Sequence, residues 1–291
     1  MRRALFILTI VALAGAAWAD WEPTMPAKWV QFPDVSPTGL DVRCGKSFLD
    51  PQLKVLADDF QCTATGPITN VHIWGSWLND YLPFGQDPKA VDFRLSIRKD
   101  IPKEQSPTGY SVPGDPIWEG FFPSSTFTVR RVAITEEQFY DPNYDLGDPT
   151  PGYNGIIGRD SMCWQYNFDL AVAGTVPPIQ EGTSARPMVY WLDVAAGPHD
   201  PQAVFGWKTS LNHWNDDAVW WDEGAGVVPK ELRYPIGHPY EGQSIDLAFV
   251  IVPEPVTVGL LAAGAGGVLL RRRGGGRQTH LTHRSLPNRS D

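Results

Sequence analysis

Apolar and polar residues alternate most cleanly at Val91-Asp92-Phe93-Arg94-Leu95-Ser96-Ile97-Arg98. A two-residue period puts one side of the chain against a core and the other towards water, which defines a half-buried strand. The same pattern runs through Met162, Trp164, Tyr166, Phe168 and Leu170, and through Ile245, Leu247, Phe249 and Ile251. Shorter stretches predict further strands at Val55–Cys62, Ile68–Leu78, Thr126–Ile134, Met188–Val194, Val204–Thr209 and Ala218–Trp221. One short helix is expected around Thr135–Tyr140, where Thr135 would cap and Glu136 and Glu137 suit a helix start. Pro- and Gly-rich connections separate these runs, and no strand–helix–strand rhythm is present. The expected fold class is therefore all-β, an antiparallel β-sandwich. Long, irregular connections favour a jelly-roll-like form over an immunoglobulin-like one.

The two ends depart from this pattern. Arg2 and Arg3 precede an apolar run from Ala4 to Ala17, and Ala17-Trp18-Ala19 places small residues where signal peptidase reads them. Residues 1–19 are thus expected to be a signal peptide, cleaved before Asp20, with export through the secretion machinery. At the other end Pro253-Glu254-Pro255 leads into Val256–Leu270, fifteen uncharged residues closed by Arg271, Arg272 and Arg273. That run predicts one short transmembrane helix with its arginines on the cytoplasmic side.

The motif, the apolar run and the arginine cluster, in that order, resemble the PEP-CTERM sorting signal. The resemblance implies recognition by an exosortase, an intramembrane transpeptidase, and release near the PEP motif to the cell surface or extracellular matrix of a polysaccharide-producing bacterium. Members usually stop soon after the arginines, whereas eighteen residues, Gly274 to Asp291, follow here. The domain organisation read from the sequence is a signal peptide at 1–19, a β-sandwich body at 20–252, a sorting signal at 253–273 and a disordered tail at 274–291. A second resemblance concerns the body. Leu56-Ala57-Asp58-Asp59-Phe60, His72 to Leu78, Gly206 to Ser210 and His213 to Trp220 are similar to an uncharacterised Trp-rich domain of exported bacterial proteins. It supports location and fold and implies no chemistry.

Charge narrows the partners. The 291 residues carry 24 basic and 33 acidic side chains. Eight of the basic and one of the acidic residues lie in the ends, which leaves 16 against 32 between Asp20 and Leu270, a net −16. Such a body repels nucleic acid and suits cations or neutral glycans.

Three cysteines leave one over in an oxidising compartment. Cys44 and Cys62 are close enough in sequence to close a short disulfide loop, with Cys62–Cys163 the alternative. Twelve tryptophans point to glycan stacking, for which Trp74, Trp77, Trp207, Trp214, Trp220 and Trp221 are candidates. With Val71 and Ile73 facing inward, Trp77 does so too, while His72 and Trp74 face outward. Of the consecutive Trp220 and Trp221, one points away from the core. Extracellular polysaccharide is the matching partner.

Asp141, Asn143, Asp145 and Asp148 begin like a Ca²⁺ loop, although Leu146 stands where such a loop needs Gly. Ordinary turn chemistry is the competing explanation. Glycoside hydrolysis would need two carboxylates, and Asp216 or Asp217 with Asp58, Asp59 or Glu223, near His213, are the available acids. The sequence has no G-x-S-x-G elbow, H-E-x-x-H or P-loop, and Ser210 and His213 are too close to argue a triad. The expectation is a non-enzymatic structural or adhesive protein, with a carbohydrate-binding module as runner-up and a Ca²⁺-dependent glycosidase third.

Overall fold

The structure, a computed structural model, describes residues 20–49, 51–143, 154–174, 176–224 and 228–253. The expected signal peptide, Glu254, Pro255, the apolar run, Arg271 to Arg273 and the last eighteen residues lie outside them. Among the described residues no helix is long and apolar enough to cross a membrane.

The body is all-β. Its strands are β1 (Trp29–Gln31), β2 (Leu40–Arg43), β3 (Lys54–Trp77), β4 (Val91–Ile101), β5 (Val112–Phe122), β6 (Phe127–Tyr140) and β7 (Ile156–Asp169). They are followed by β8 (Ile179–Pro198), β9 (Phe205–Ser210), β10 (Val219–Asp222), β11 (Lys230–Glu231), β12 (Asp246–Leu247) and β13 (Phe249–Pro253). All thirteen join one hydrogen-bonded network with the main order β12-β9-β2-β6-β7-β3-β8-β4-β5. Every pairing is antiparallel except β2 with β6.

The 24-residue β3 organises the rest. Its first half pairs with β8 and β10, and its second half with β7, β13 and β9. The sequence predicts two strands here because Gly66-Pro67 looks like a break. Register shifts on both sides of Ala64 absorb the irregularity, and the strand continues.

Two expectations about local structure need correction. Thr135–Tyr140 is the end of β6, not a helix. Gln138, Phe139 and Tyr140 pair with Leu40, Asp41 and Val42, and Glu137 opposes Asp160. Those pairings, with Phe139 and Glu137 buried, outweigh a weak local signal. Strand β5 was hidden by Pro113, Gly114 and Pro116. It ends the strand order, where a proline without an N–H is tolerated.

The alternation along β4 is realised as predicted, with Val91, Phe93, Leu95 and Ile97 fully buried. Phe93 meets Phe127, Tyr166, Phe168 and Phe205 edge-on, at centroid distances of 5.4, 5.2, 5.3 and 5.2 Å. Aromatic pairs prefer this geometry, and their burial supplies most of the driving force.

The opposite face of β3 is covered as well. His72 and Trp74, expected to face outward, are both buried. Trp21 lies edge-on to Trp74 at 6.1 Å, and a second apolar cluster joins them to Cys163, Ala248 and Val250. The segment carrying Trp21 is held at its start by Asp20, whose carboxylate accepts from Asn167 Nδ2 at 2.9 Å and pairs with Arg130 at 3.4 Å.

Candidate functional site

Strand β10 lies antiparallel to the start of β3, with Val219 opposite Ala57 and Trp220 opposite Leu56. This pairing brings together the two acid-rich motifs, Leu56–Phe60 and His213–Trp221. Successive residues of a strand point to opposite faces, so Asp58 and Asp59 serve different surroundings. Asp58 is fully buried. Its Oδ2 accepts from the Leu247 N–H at 2.6 Å and from Gln31 Nε2 at 3.1 Å, and its Oδ1 accepts from the Asp59 N–H at 2.8 Å. Burial, and then the neighbouring Asp246, hold the Asp58 carboxyl well above the usual carboxylate range.

Asp246 links this interior to the surface. Its Oδ2 lies 2.6 Å from Nδ1 of His213, whose side chain is half exposed. Burial pushes Asp246 up to about 8. Asp59 is raised to about 10, first by burial and then by Asp58. The Asn215 side-chain amide donates to Asp59 Oδ2 and, at 2.9 Å, to Asp216 Oδ2. Asn215 adopts φ 60°, a left-handed conformation that asparagine accepts more readily than most residues. One amide thus clasps two carboxylates and fills the gap between them. Asp58 and Asp59 are thus both candidate acids shifted in the direction a general acid needs, yet Asn215 stands between Asp59 and Asp216.

The sequence reading missed a second acidic group. Asp41 on β2 faces Lys208 on β9 as a direct cross-strand pair, with Nζ to Oδ2 at 3.0 Å. Lys208 also contacts Glu137 on β6, and Glu137 opposes Asp160 on β7. Oxygens of Asp41, Glu137 and Asp160 all lie within 4.8 Å of one another, and all three residues are buried. They are a donor set of the kind that holds a cation, but the Lys208 ammonium already supplies positive charge there. Burial raises Asp41 and pushes Asp160 up to about 10, with Asp41 adding to the latter. Glu137 fell in the stretch read as helix, and isolated acids on the polar phase of a strand look like solvent-facing positions. The one available sign was that Asp41 and Lys208 stand beside apolar residues, Leu40 and Val42 on β2 and Trp207 on β9.

The expected calcium loop is only partly described, because Asp145 and Asp148 lie outside the described residues. Asp141 is buried, with Arg43 Nε at 2.6 Å from its Oδ2. Its Oδ1 accepts the Asn143 N–H at 3.0 Å, closing an Asx turn. The Asn143 amide donates onward to Asp222 at 3.0 Å, and Asp222 pairs with Lys54 at 2.8 Å. The Asp141 oxygens thus meet a cation and backbone already within the chain.

The tryptophans do not form one surface row. Trp207 and Trp77 are core residues that donate to Ala248 O at 2.8 Å and Tyr166 Oη at 3.0 Å. Trp220 is buried beneath two ammonium groups, Lys54 at 3.9 Å and Lys230 at 4.7 Å from its ring centre. With Trp74 also buried, the expectation of exposed rings fails for Trp74, Trp207 and Trp220. Of the consecutive pair, Trp221 is on the face of β10 away from Trp220, half-buried against Ala57, Trp191 and Val219, and Trp214 is half-buried edge-on to Trp29 at 4.9 Å.

The expected Cys44–Cys62 disulfide is not formed, and Cys44, Cys62 and Cys163 are all buried free thiols. Cys44 Sγ sits 3.2 Å from Val194 O, and Val194 opposes Leu56. Cys62 is six residues further along β3, about 20 Å away at the usual rise of a strand. A disulfide needs Cα atoms within about 7 Å.

Residues 27–252 match a family model described as Domain of unknown function (DUF7901). The chain belongs to that family. No curated protein and no solved structure matches it. The DUF7901 match opens just before β1 and closes within β13, so it takes in both acidic groups and every strand up to Val252.

Proposed function

We propose that this DUF7901 protein is exported, loses its signal peptide, and is sorted by an exosortase to the cell surface or extracellular matrix, where its role is structural or adhesive. The observation that carries this reading is a coincidence of boundaries. Strand β13 ends at Pro253 and the family match at Val252. The folded body thus closes where the Pro253-Glu254-Pro255 signal begins. At the other end, Asp20, the first residue after the predicted cleavage, is tied by its carboxylate to Asn167 and Arg130.

The non-enzymatic part of the reading rests on the acidic motifs. Asp58 is engaged by Gln31 and Leu247, and Asp59 and Asp216 by Asn215. These contacts fasten strands to loops. The fold that accompanies the proposal is a jelly-roll-like sandwich, supported by the meeting of Phe93 on β4 with aromatics of β6, β7 and β9. Its partners are signal peptidase, the exosortase and extracellular polysaccharide, and a body with 16 basic and 31 acidic residues over 20–252, net −15, is not built for nucleic acid.

Processing tests it. Replacing Glu254 by Ala, or Arg271 to Arg273 by Ala, is expected to leave uncut precursor in the membrane fraction on immunoblots. Normal maturation of both variants contradicts the sorting assignment.

A further inference from the structure

The chain turns sharply after β3. Asn79, Asp80 and Phe84 have φ of 56°, 54° and 50°, and they are three of the four non-glycine residues with positive φ among the described residues. Side chains avoid this left-handed region, and where it recurs in a short loop the surroundings must hold it in place. Two carboxylates do so here. Asp80 Oδ1 accepts the N–H groups of Ser161 at 2.9 Å and Met162 at 3.0 Å, and its Oδ2 accepts the Ser161 hydroxyl at 2.5 Å. Asp200 Oδ2 accepts the Tyr81 hydroxyl at 2.9 Å and the Phe84 N–H at 3.0 Å, while its Oδ1 accepts the Gln202 N–H at 3.0 Å.

Exposed rings stand around this turn. Tyr81 is 39% exposed, Phe84 67% and, from the segment after β2, Phe48 61%. Phe48, Leu78, Asn79, Tyr81 and Gln202 line an open cavity of about 540 Å³. Large aromatic side chains left in water beside a concave surface mark binding sites more often than chance exposure. The Tyr81 hydroxyl is engaged by Asp200, so this residue offers its ring.

We propose that this groove binds a ring of a neutral carbohydrate. Aromatic faces carry partial negative charge and attract the polarised C–H groups on the flat side of a pyranose. The carboxamides of Asn79 and Gln202 are the groups that pair with hydroxyls, both donating and accepting. No charged side chain is among the described lining residues, and residues 20–252 together carry a net −15. An anionic polysaccharide would meet repulsion without a compensating cation. A neutral polyol with one apolar face matches the lining. The site is separate from every tryptophan singled out by the sequence. The inference deepens the adhesive reading above and rests on it for the encounter with extracellular polysaccharide.

Native electrophoresis of the full chain in detergent, through gels containing galactomannan, xyloglucan, dextran or alginate, tests this. Retardation is expected in at least one neutral gel and not in alginate alone. Tyr81→Ala and Phe48→Ala should each weaken the apparent affinity at least ten-fold. Asn79→Gly keeps a residue at home in the left-handed turn and removes the amide, whose Oδ1 also accepts the Arg159 N–H at 3.5 Å, so it should weaken binding with only a small fall in the thermal midpoint. Phe121→Ala, at an exposed ring outside the lining, should bind as the parent does. No retardation in any neutral gel, retardation in alginate alone, or full affinity in both Tyr81→Ala and Phe48→Ala overturns the proposal. Tail processing is read on the same preparations by immunoblot, so loss of binding with normal maturation refutes the groove and leaves the sorting reading standing.

Discussion

Lys208 and Asp41 face each other across β9 and β2, ammonium to carboxylate at 3.0 Å, with neither side chain exposed to solvent. A buried pair of this kind adds little net stability over an apolar pair, because both ions lose their hydration. Removing one partner is a different matter. Lys208→Met leaves Asp41 and Glu137 without their cation and should cost about 3–5 kcal/mol in urea unfolding. The double variant Lys208→Met, Asp41→Leu should recover part of that loss. A Lys208→Met variant within 1 kcal/mol of the parent, about a five-fold change in the folded-to-unfolded ratio, speaks against the pair as a fastening.

Asp59 predicts a direction for pH dependence. Its ordinary value is 3.8, and burial followed by Asp58 raises it to about 10 in the folded chain. The folded state then holds a proton that the unfolded state releases between these two values. Stability from this group is complete below the lower value and falls as pH rises towards the upper one. Asp59→Asn keeps an acceptor for Asn215 and removes the titration. The melting temperature of this variant should change less between pH 5 and pH 9 than that of the parent, and parallel curves for the two proteins would refute the assignment.

The aromatic centre makes a simpler prediction. Phe93 touches rings from β6, β7 and β9 and is fully buried. Phe93→Ala removes a large side chain from a rigid surrounding and should destabilise by about 3–5 kcal/mol. Phe121→Ala on β5, where the ring is 57% exposed, should change stability by less than about 1 kcal/mol in the same denaturant series.

The three thiols should be silent in the native protein. Burial raises the Cys44 thiol to about 12 and lifts Cys163 well above its ordinary value, which keeps both as unreactive thiols at neutral pH. A thiol reagent should find no reactive group before unfolding and three groups after it, and added reductant should leave the melting temperature unmoved. Fewer than three after unfolding would reveal a disulfide.

Strand positions were legible wherever one face of a strand is apolar and the other polar, as along Val91–Arg98. They were illegible where both faces are buried. His72 and Trp74 read as outward because nothing local announces that Trp21, some fifty positions earlier, lies over them. Strand β5 and the second half of β6 were obscured by prolines and by a pair of glutamates, features whose meaning depends on the neighbouring strand. The acidic motifs were visible, with Asp216 or Asp217 set beside Asp58, Asp59 or Glu223 as available acids, but nothing in the sequence placed them against one another across β3 and β10. The partners that decide their chemistry, Gln31, Asn215 and Asp246, were not visible, since none belongs to a recognisable spacing. The Tyr81 ring lacked any signal because its hydroxyl is held by the distant Asp200.

Strand β13 is hydrogen-bonded on both flanks, to β1 through Trp29, Val30 and Gln31 and to β3 from Ile68 to Ile73. A pull applied at Pro253 runs along that strand and must shear two ladders together instead of peeling one rung after another. The domain is therefore gripped from the end that joins the rest of the chain in the way that best resists mechanical extraction, and it should stay folded under drag.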